Sequence, residues 1–441
     1  MKLGLLISRY MSPTLEESTD MKSQQLSLVD AFFVSLMVGA GESYLPAYAL
    51  SVGISESSAG LLTSVPLVFG ALIQLLTPWG LQKINNVKRW VVATTTVQAL
   101  SFVPLIYFSL VKVENPAWIF LIAGLYYGAG FAAAAPWNFW MSHLISNSES
   151  LKFFSSRLYL SQIGTLVGLI GAGIALHNKW HLGPLTSAYS LIFFIAFVSR
   201  ISSTLALHLK EYRHEWLHTP TNVRFVDSLT KFLRHHSYRR FFGFLFIFYV
   251  FIFFSSPFVS PFLLKKLNFD YADFMWIIGS LFIGKMIGFS VLKGSFFVGR
   301  ILGGSRLQER WTQMSSKKIF FIGAIGISPL PLLWGTIHSF SGAVMLQVVS
   351  GFAWSMFESG LAQIFFAELK KEEKITVITL FNFFYASAVV LGSLIGASCL
   401  RAGHEYIEAY HMVFLVGSIL RVLLVAGFYW MTRQHRELLV D

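Results

Sequence analysis

Long apolar runs recur along the whole chain and restrict its fold more than any other feature. A helix needs roughly 20 residues, at 1.5 Å each, to cross a hydrocarbon core about 30 Å thick. Runs of that length cover residues 28–50, 57–78, 90–111, 117–140, 157–176, 187–208, 241–263, 272–292, 318–337, 341–367, 375–398 and 409–431. The chain is therefore predicted to be an all-α membrane protein with twelve transmembrane helices.

The composition argues against a water-soluble protein. Hydrophobic residues make up 55% of the chain and charged residues only 13%, which leaves more apolar surface than an ordinary soluble core can bury. The net charge of +12 suggests nucleic acid, but the basic residues interrupt apolar runs instead of forming a solvated binding face. We expect membrane lipids as partners and no nucleic acid.

A polar interval at residues 210–240 separates the sixth apolar run from the seventh. The predicted domains are a cytoplasmic tail (1–27), a six-helix bundle (28–208), a cytoplasmic linker (209–240), a second six-helix bundle (241–432) and a cytoplasmic tail (433–441). Within the linker, one helical face carries Phe225, Leu229, Phe232 and Leu233, and basic residues surround the remainder. That pattern is typical of helices lying on anionic membranes.

Two segment boundaries carry expectations of their own. Basic residues share segment 293–317 with apolar ones, and we expect the eighth helix to continue there as an extended cytoplasmic helix. Met21, followed by Lys22, is a candidate translation start that would leave residues 1–20 outside the native protein.

The basic residues are distributed asymmetrically between alternate connections. If the N-terminus is cytoplasmic, 26 of the 34 Lys and Arg residues fall in cytoplasmic segments and 5 in outside loops. Cytoplasmic loops of membrane proteins carry an excess of Lys and Arg. Both termini are therefore predicted to lie in the cytoplasm.

An internal repeat relates the two halves of the chain at a spacing of 221 residues. The sixth run shares its pattern with the twelfth: Ala188, Tyr189, Phe193 and Arg200 correspond to Ala409, Tyr410, Phe414 and Arg421. Residues 130–132 correspond to 351–353 at the same spacing. Duplicated six-helix halves are one architecture of transporters.

These features resemble the major facilitator superfamily of transporters over the chain after Asp30. The short loop between helices two and three carries Lys83, Lys88 and Arg89. Lys88 and Arg89 match the basic pair of the family signature, but the Asp of that signature is absent from residues 78–89. A closer resemblance, to bacterial members of unassigned substrate, rests on Trp137, Trp140, Met141 and Leu144 and on residues 351–354. The resemblance implies alternating access, a cytoplasmic gating loop, and a central cavity lined by helices one, four, seven and ten.

The clearest ionisable residues within the apolar runs are Glu42, Arg200, Lys285, Glu358 and Arg421. Charges within a bilayer are costly, so they usually face a cavity or a partner. Through the resemblance, Glu42 and Glu358 would face the central cavity and couple transport to protons. The alternative for each is a carboxyl group that a neighbouring side chain neutralises for structural reasons.

The basic members of this set have two different expected roles. Lys285 and Glu358 fall in the same half and are expected to pair, because a lone buried charge costs far more than a matched one. Arg200 and Arg421 are related by the repeat. We expect them to share an architectural role, bonding helix-end carbonyls or reaching lipid headgroups.

Uncharged residues complete the candidate substrate site. Asn138 beside Trp137 and Trp140 suggests an aromatic platform for a ligand, although tryptophans near a helix end equally suit an interfacial belt. Trp354 is a further candidate. Glycines in helix five (Gly164, Gly168, Gly171 and Gly173) and helix eleven (Gly392 and Gly396) favour tight helix contacts, which the resemblance places against the opposite half.

No enzyme signature occurs, so no catalytic residue, cofactor or metal site is predicted. The single cysteine, Cys399, cannot form a disulfide within the chain. We expect a monomeric, proton-coupled secondary transporter of a small organic solute in a bacterial inner membrane. The alternatives are a lipid or lysolipid flippase, suggested by the Phe-rich segment 241–254, and a sensor or assembly partner that does not transport.

Overall fold

The computed structural model describes residues 15–53, 62, 65–111, 116–146, 149–212, 234–269, 271–293, 311, 313–369, 374–403 and 406–433. Its helices are α1 (Leu15–Ala40), α2 (Leu45–Ser51), α3 (Val65–Gln74), α4 (Thr77–Ile84), α5 (Val87–Leu100), α6 (Phe102–Val111), α7 (Pro116–Leu144), α8 (Ser150–His177), α9 (Ala188–Leu209), α10 (His236–Ser255), α11 (Tyr271–Leu292), α12 (Ser316–Ile327), α13 (Leu330–Trp334), α14 (Phe340–Ala367), α15 (Lys374–Ala402) and α16 (Ile407–Thr432). Short helical turns at Glu42–Tyr44, Ser256–Phe258, Val259–Pro261 and Phe262–Lys266 join or extend them.

Helices in the described residues overlap every predicted apolar run. Ten of the helical spans are long and apolar enough to cross a membrane. The second run corresponds to the pair α3 and α4, bent by 42°, and the eighth to a shorter apolar stretch, Trp276–Leu292. The all-α membrane fold predicted from the sequence is confirmed.

The segment predicted as an N-terminal tail, 1–27, contains the first turns of α1. α1 begins at Leu15, and its first turns pack on the protein: the Ser23 hydroxyl accepts a hydrogen bond from the Glu211 backbone N–H at 3.1 Å. The amphipathic helix expected around Phe225, Leu229, Phe232 and Leu233 falls outside the described residues, as does most of segment 293–317.

The helices pack mainly within two sets, the N-terminal helices (α1–α9) and the C-terminal helices (α10–α16). In the first set, α1 packs against α8 and α9, and α7 against α3 and α5. In the second, α14 packs against α11 and α12, and α10 against α15 and α16. The sets meet where α8 contacts α11 and α14, and where α15 contacts α3 and α7.

The glycines of helices five and eleven lie inside each set instead of facing the opposite half. A methyl group added at Gly168 would lie 2.5 Å from the carbonyl oxygen of Leu36 in α1, and one at Gly164 would meet Phe32. In α15, Gly392 and Gly396 approach α10 in the same manner. Helices five and eleven do contact the opposite half, as expected, but not through these four glycines, which form two glycine seams within the sets, α1–α8 and α10–α15.

Candidate functional site

A cavity of about 640 Å³ lies between the two sets of helices. We name it the Glu42 cavity. The N-terminal helices contribute Glu42, Ser43, Pro46, Leu67 and Tyr127 to its wall, and the C-terminal helices contribute Phe253, Ser256, Pro257, Tyr385, Val389 and Ser393. It is thus the kind of two-sided space in which a small molecule would touch both halves.

Glu42 occupies the point where α1 breaks. α1 ends at Ala40 and a short turn, Glu42–Tyr44, leads into α2. The Tyr126 hydroxyl donates to Glu42 Oε2 at 2.5 Å, and the Tyr127 hydroxyl donates to Oε1 at 3.1 Å. Within the described part of the chain, the recorded donors to this half-buried carboxylate are neutral phenols and not cations.

Glu358 has the opposite electrostatic environment. Lys285 Nζ on α11 lies 2.6 Å from Glu358 Oε1 on α14, and their side chains are 16% and 30% exposed. The ring centroid of Trp354 is 6.0 Å from the same Nζ. The expected pair is therefore formed, and neither member lines the Glu42 cavity.

A second cavity, of about 320 Å³, contains a cluster that the sequence analysis did not assemble. We name it the arginine cavity; its wall includes Asp30, Trp137, Asn138, Arg157 and Arg200. Arg157 Nη2 donates to Asp30 Oδ2 at 3.1 Å. Arg200 Nη1 donates to the Ser203 hydroxyl at 2.7 Å, and that hydroxyl donates to Asp30 Oδ1 at 2.8 Å.

Two members of this cluster escaped prediction for a simple reason. Asp30 and Arg157 stand at the starts of apolar runs, where charged residues usually face the cytoplasm, and Arg157 was counted with the loop charges. In the structure, Asp30 is 2% exposed and Arg157 lies within α8, its guanidinium carbon 4.2 Å from the Trp137 ring centroid. A charged residue within the bounds of each apolar run, 28–50 and 157–176, is the signal that could have identified them.

The aromatic candidates lie inside the protein. Trp137 is 8% exposed, so its assignment to an interfacial belt is wrong. Its neighbour Asn138 lines the arginine cavity, and the Asn138 side-chain amide donates a hydrogen bond to the carbonyl of Ala134 at 3.0 Å. Trp354 is half-buried and packs edge-on against Phe357.

Arg200 and Arg421 are both too buried to reach lipid headgroups, at 5% and 2% exposed. Arg421 bonds helix-end carbonyls, as one alternative expected: its guanidinium donates to Phe251 at 3.1 Å and to Ile252 at 2.8 Å. Arg200 makes no such bond and lines the arginine cavity.

The basic residues of the predicted gating loop have separate environments. Lys83 lies over the Trp79 ring at 4.0 Å, and Arg89 is exposed. Lys88 Nζ donates to the carbonyl of Lys210 at 2.7 Å, which ties the start of α5 to the end of α9. Among the described residues, no group of three His, Cys, Asp or Glu side chains suits a metal ion.

Comparisons with known proteins give the family. A comparison with curated proteins found no match. Among solved structures, the E. coli fucose:proton symporter FucP is similar at a TM-score of 0.68 and 12% identity, over 93% of this chain and 99% of that one. A bacterial homologue of the iron transporter ferroportin, in an outward-facing state with soaked iron, gives a TM-score of 0.65 at 14% identity, over 94% of this chain and 99% of that one.

The proton:xylose symporter XylE gives a TM-score of 0.65 at 12% identity, over 94% of this chain and 96% of that one. Identities this low show the fold alone. The family model described as "Major Facilitator Superfamily" matches residues 31–393, which is most of the chain. With that match and the helical fold described above, the chain belongs to the major facilitator superfamily.

Proposed function

We propose that this protein is a secondary active transporter that moves a small organic solute by alternating access. The Glu42 cavity supports this proposal, because both sets of helices form its wall and its volume of about 640 Å³ suits a small molecule. The charge asymmetry of the sequence supports both termini in the cytoplasm, and the resemblance to bacterial members of the superfamily favours a bacterial inner membrane. We expect the monomer to be the working unit.

The observation that carries the proposal is the environment of Glu42. An ionised carboxylate without a cationic partner is costly within a bilayer, and its recorded donors are Tyr126 and Tyr127. Protonation of Glu42 removes the negative charge and with it the free-energy cost of placing that charge in the bilayer. Glu42 is therefore the proposed site of the coupling proton, whereas Glu358 is already neutralised by Lys285.

Side-chain contacts between the two sets suggest where the pathway closes. Phe154 of α8 packs edge-on against Phe366 of α14, with ring centroids 5.0 Å apart. Lys293 Nζ lies 3.5 Å above the Tyr159 ring. These contacts lie toward the Asp30 end of α1, and Glu42 lies twelve residues further along, or about 18 Å at 1.5 Å per residue. A solute passing from the Glu42 cavity to that end requires them to separate.

The flippase alternative loses only part of its support, because Phe246, Phe251 and Phe253 of α10 are half-buried and Phe253 lines the Glu42 cavity. This alternative rested on the Phe-rich segment of α10 as a surface for an acyl chain. Phe241, Phe242, Phe244 and Phe248 are at most 4% exposed, and they pack on other aromatic rings such as Phe320 and Phe428.

Proton movement in liposomes tests the proposal. Purified protein is reconstituted with a pH-sensitive dye inside, and sugars, nucleosides, amino acids and organic acids are added outside under an imposed pH gradient. At least one solute should cause proton entry that Glu42→Gln abolishes. Glu408→Gln, at an exposed carboxyl group, is the matched control.

Two outcomes would contradict it. Gradient-driven uptake that survives Glu42→Gln would remove Glu42 as the coupling site. Binding of a solute without uptake in any gradient would favour the sensor alternative over a transporter.

A further inference from the structure

The arginine cavity carries more positive charge than its own side chains neutralise. Its wall contains two arginines, Arg157 and Arg200, and one acidic residue, Asp30. Arg157 pairs directly with Asp30 at 3.1 Å. Arg200 reaches the same carboxylate only through the Ser203 hydroxyl. One guanidinium charge is therefore left without its own counter-ion in a buried site, which is unfavourable unless a ligand supplies one.

The cavity also has hydrogen-bond donors that nothing uses. Arg157 Nε, Arg200 Nε and Trp137 Nε1 are buried and have no hydrogen-bond partner among the residues that the structure describes. Arg200 is 5% and Trp137 8% exposed, so solvent does not readily satisfy them. Buried polar groups are nearly always paired, and these three are all N–H donors. A ligand group that pairs with these donors therefore has to supply hydrogen-bond acceptors.

We propose that the arginine cavity binds the carboxylate or phosphate group of the transported solute. This assignment rests on the proposed transport function and adds the chemical class of the substrate. Guanidinium groups bind planar carboxylates and phosphates with two parallel hydrogen bonds. The volume of about 320 Å³ limits the ligand to a small organic acid or phosphate ester.

The remaining wall suits the rest of such a solute. Val34, Ala133 and Ala134 provide apolar surface beside the Trp137 ring, and Asn138 borders it. Ala362 of α14 also lines the cavity, so the C-terminal helices close one side. The site therefore lies where the two sets meet, next to the Phe154–Phe366 contact. Asp30 in its wall stands on α1, which ends two residues before Glu42.

Binding to the purified full-length protein in detergent tests the site without requiring transport. The probes are benzoate and glucose 6-phosphate, with benzamide and glucose as their neutral counterparts, at constant ionic strength. A ligand that binds only the folded protein raises its Tm. At least one anion should raise Tm saturably, and its neutral counterpart should not.

Arg200→Gln separates binding from folding. In this variant Asp30 still pairs with Arg157 and still accepts the hydrogen bond from Ser203. The Tm of the variant without a probe should therefore match or exceed that of the wild type. The apparent Kd for the anion should rise by about tenfold or more, the usual cost of losing a charged hydrogen-bond partner. Arg200→Lys, which keeps the charge, should recover part of the affinity. Arg401→Gln, at an exposed position, should bind as the wild type does.

Several results would overturn the proposal. No Tm response to either anion, equal responses to the neutral counterparts, or unchanged affinity in Arg200→Gln would each exclude an oxyanion site. A response to phosphatidylglycerol in mixed micelles, with none to the soluble anions, would assign the oxyanion to a lipid headgroup and reject the solute. An anion that binds as expected but is never taken up by liposomes would contradict the transport function and leave the site standing.

Discussion

Arg200 and Arg421 occupy equivalent positions of the internal repeat, yet only Arg421 holds helices together. Its guanidinium donates to the carbonyls of Phe251 and Ile252 and to the Ser255 hydroxyl, which joins α16 to the end of α10. Arg200 has a single recorded bond, to Ser203 within its own helix. The two halves of the repeat thus carry an arginine at the same position, but the two arginines have different roles.

Replacing each arginine by glutamine should therefore have unequal effects on stability. Arg421→Gln leaves buried carbonyls without their donors and should cost about 3 kcal/mol or more, whereas Arg200→Gln should stay within about 1 kcal/mol of the wild type. Detergent unfolding followed by tryptophan fluorescence measures both. Equal losses would mean that Arg200 is also a structural residue.

The Lys285–Glu358 pair should show coupling in a double-mutant cycle. Lys285→Met and Glu358→Gln each leave one partner without its counter-ion, and the double variant removes both. The side chains are 16% and 30% exposed, so solvent screens part of the attraction. We expect a coupling free energy of about 1–2 kcal/mol, below the cost of breaking a fully buried pair. Strictly additive losses would show that the pair contributes no stability.

Two glycines on one helix provide a matched test of the α1–α8 seam. Gly168→Ala places a methyl group 2.5 Å from the Leu36 carbonyl oxygen, and the required shift should cost about 1–3 kcal/mol. Gly171 has no heavy atom within 4 Å of such a group, so Gly171→Ala should be neutral or stabilise by up to about 1 kcal/mol. Thermal unfolding of both variants distinguishes a packed seam from a general effect of glycine.

Lys210 should make stability depend on pH. It follows α9, is 1% exposed and directs Nζ to Met141 Sδ at 3.2 Å; burial lowers its pKa well below the usual 10.5. Between the lowered pKa and 10.5 the unfolded chain binds more protons than the folded protein. The free energy of unfolding therefore rises with pH across that window.

Lys210→Met removes this dependence. The variant should be more stable than the wild type below the lowered pKa, where folding buries a charge. Its advantage should shrink as the pH approaches 10.5. Lys179→Met, at an exposed position, is the control for charge removal. An advantage that stays constant from pH 6 to pH 10 would be contrary to the expected titration.

The positions of the helices were predictable because bilayer thickness fixes their length, and every apolar run overlaps a helix of the structure. The Lys285–Glu358 contact was predictable for a similar reason, since a lone charge in a membrane needs a partner. The partners of Asp30 were not predictable, because the sequence does not reveal that α1 packs against both α8 and α9. Only that packing brings Arg157 and Arg200 to one carboxylate.

The same limit applies to the glycines. Their spacing predicted close contact, and the contact exists, but the neighbouring helix was misassigned because spacing alone carries no information about which helix lies opposite. The break at Gly41 also had no signal beyond a run of small residues. It places Glu42 at a helix end, where Tyr126 and Tyr127 can reach it.

The glycine seams also determine which parts of the molecule can deform. In each seam the backbones of two helices are in direct contact, and a change of side-chain rotamer cannot alter the distance between them. The contacts between the two sets are made by flexible side chains such as Lys293 and Phe366. The two sets can therefore move relative to each other more easily than the helices within a set can. The two helices of each seam move as a rigid pair, so that a displacement at one end is transmitted to the other end.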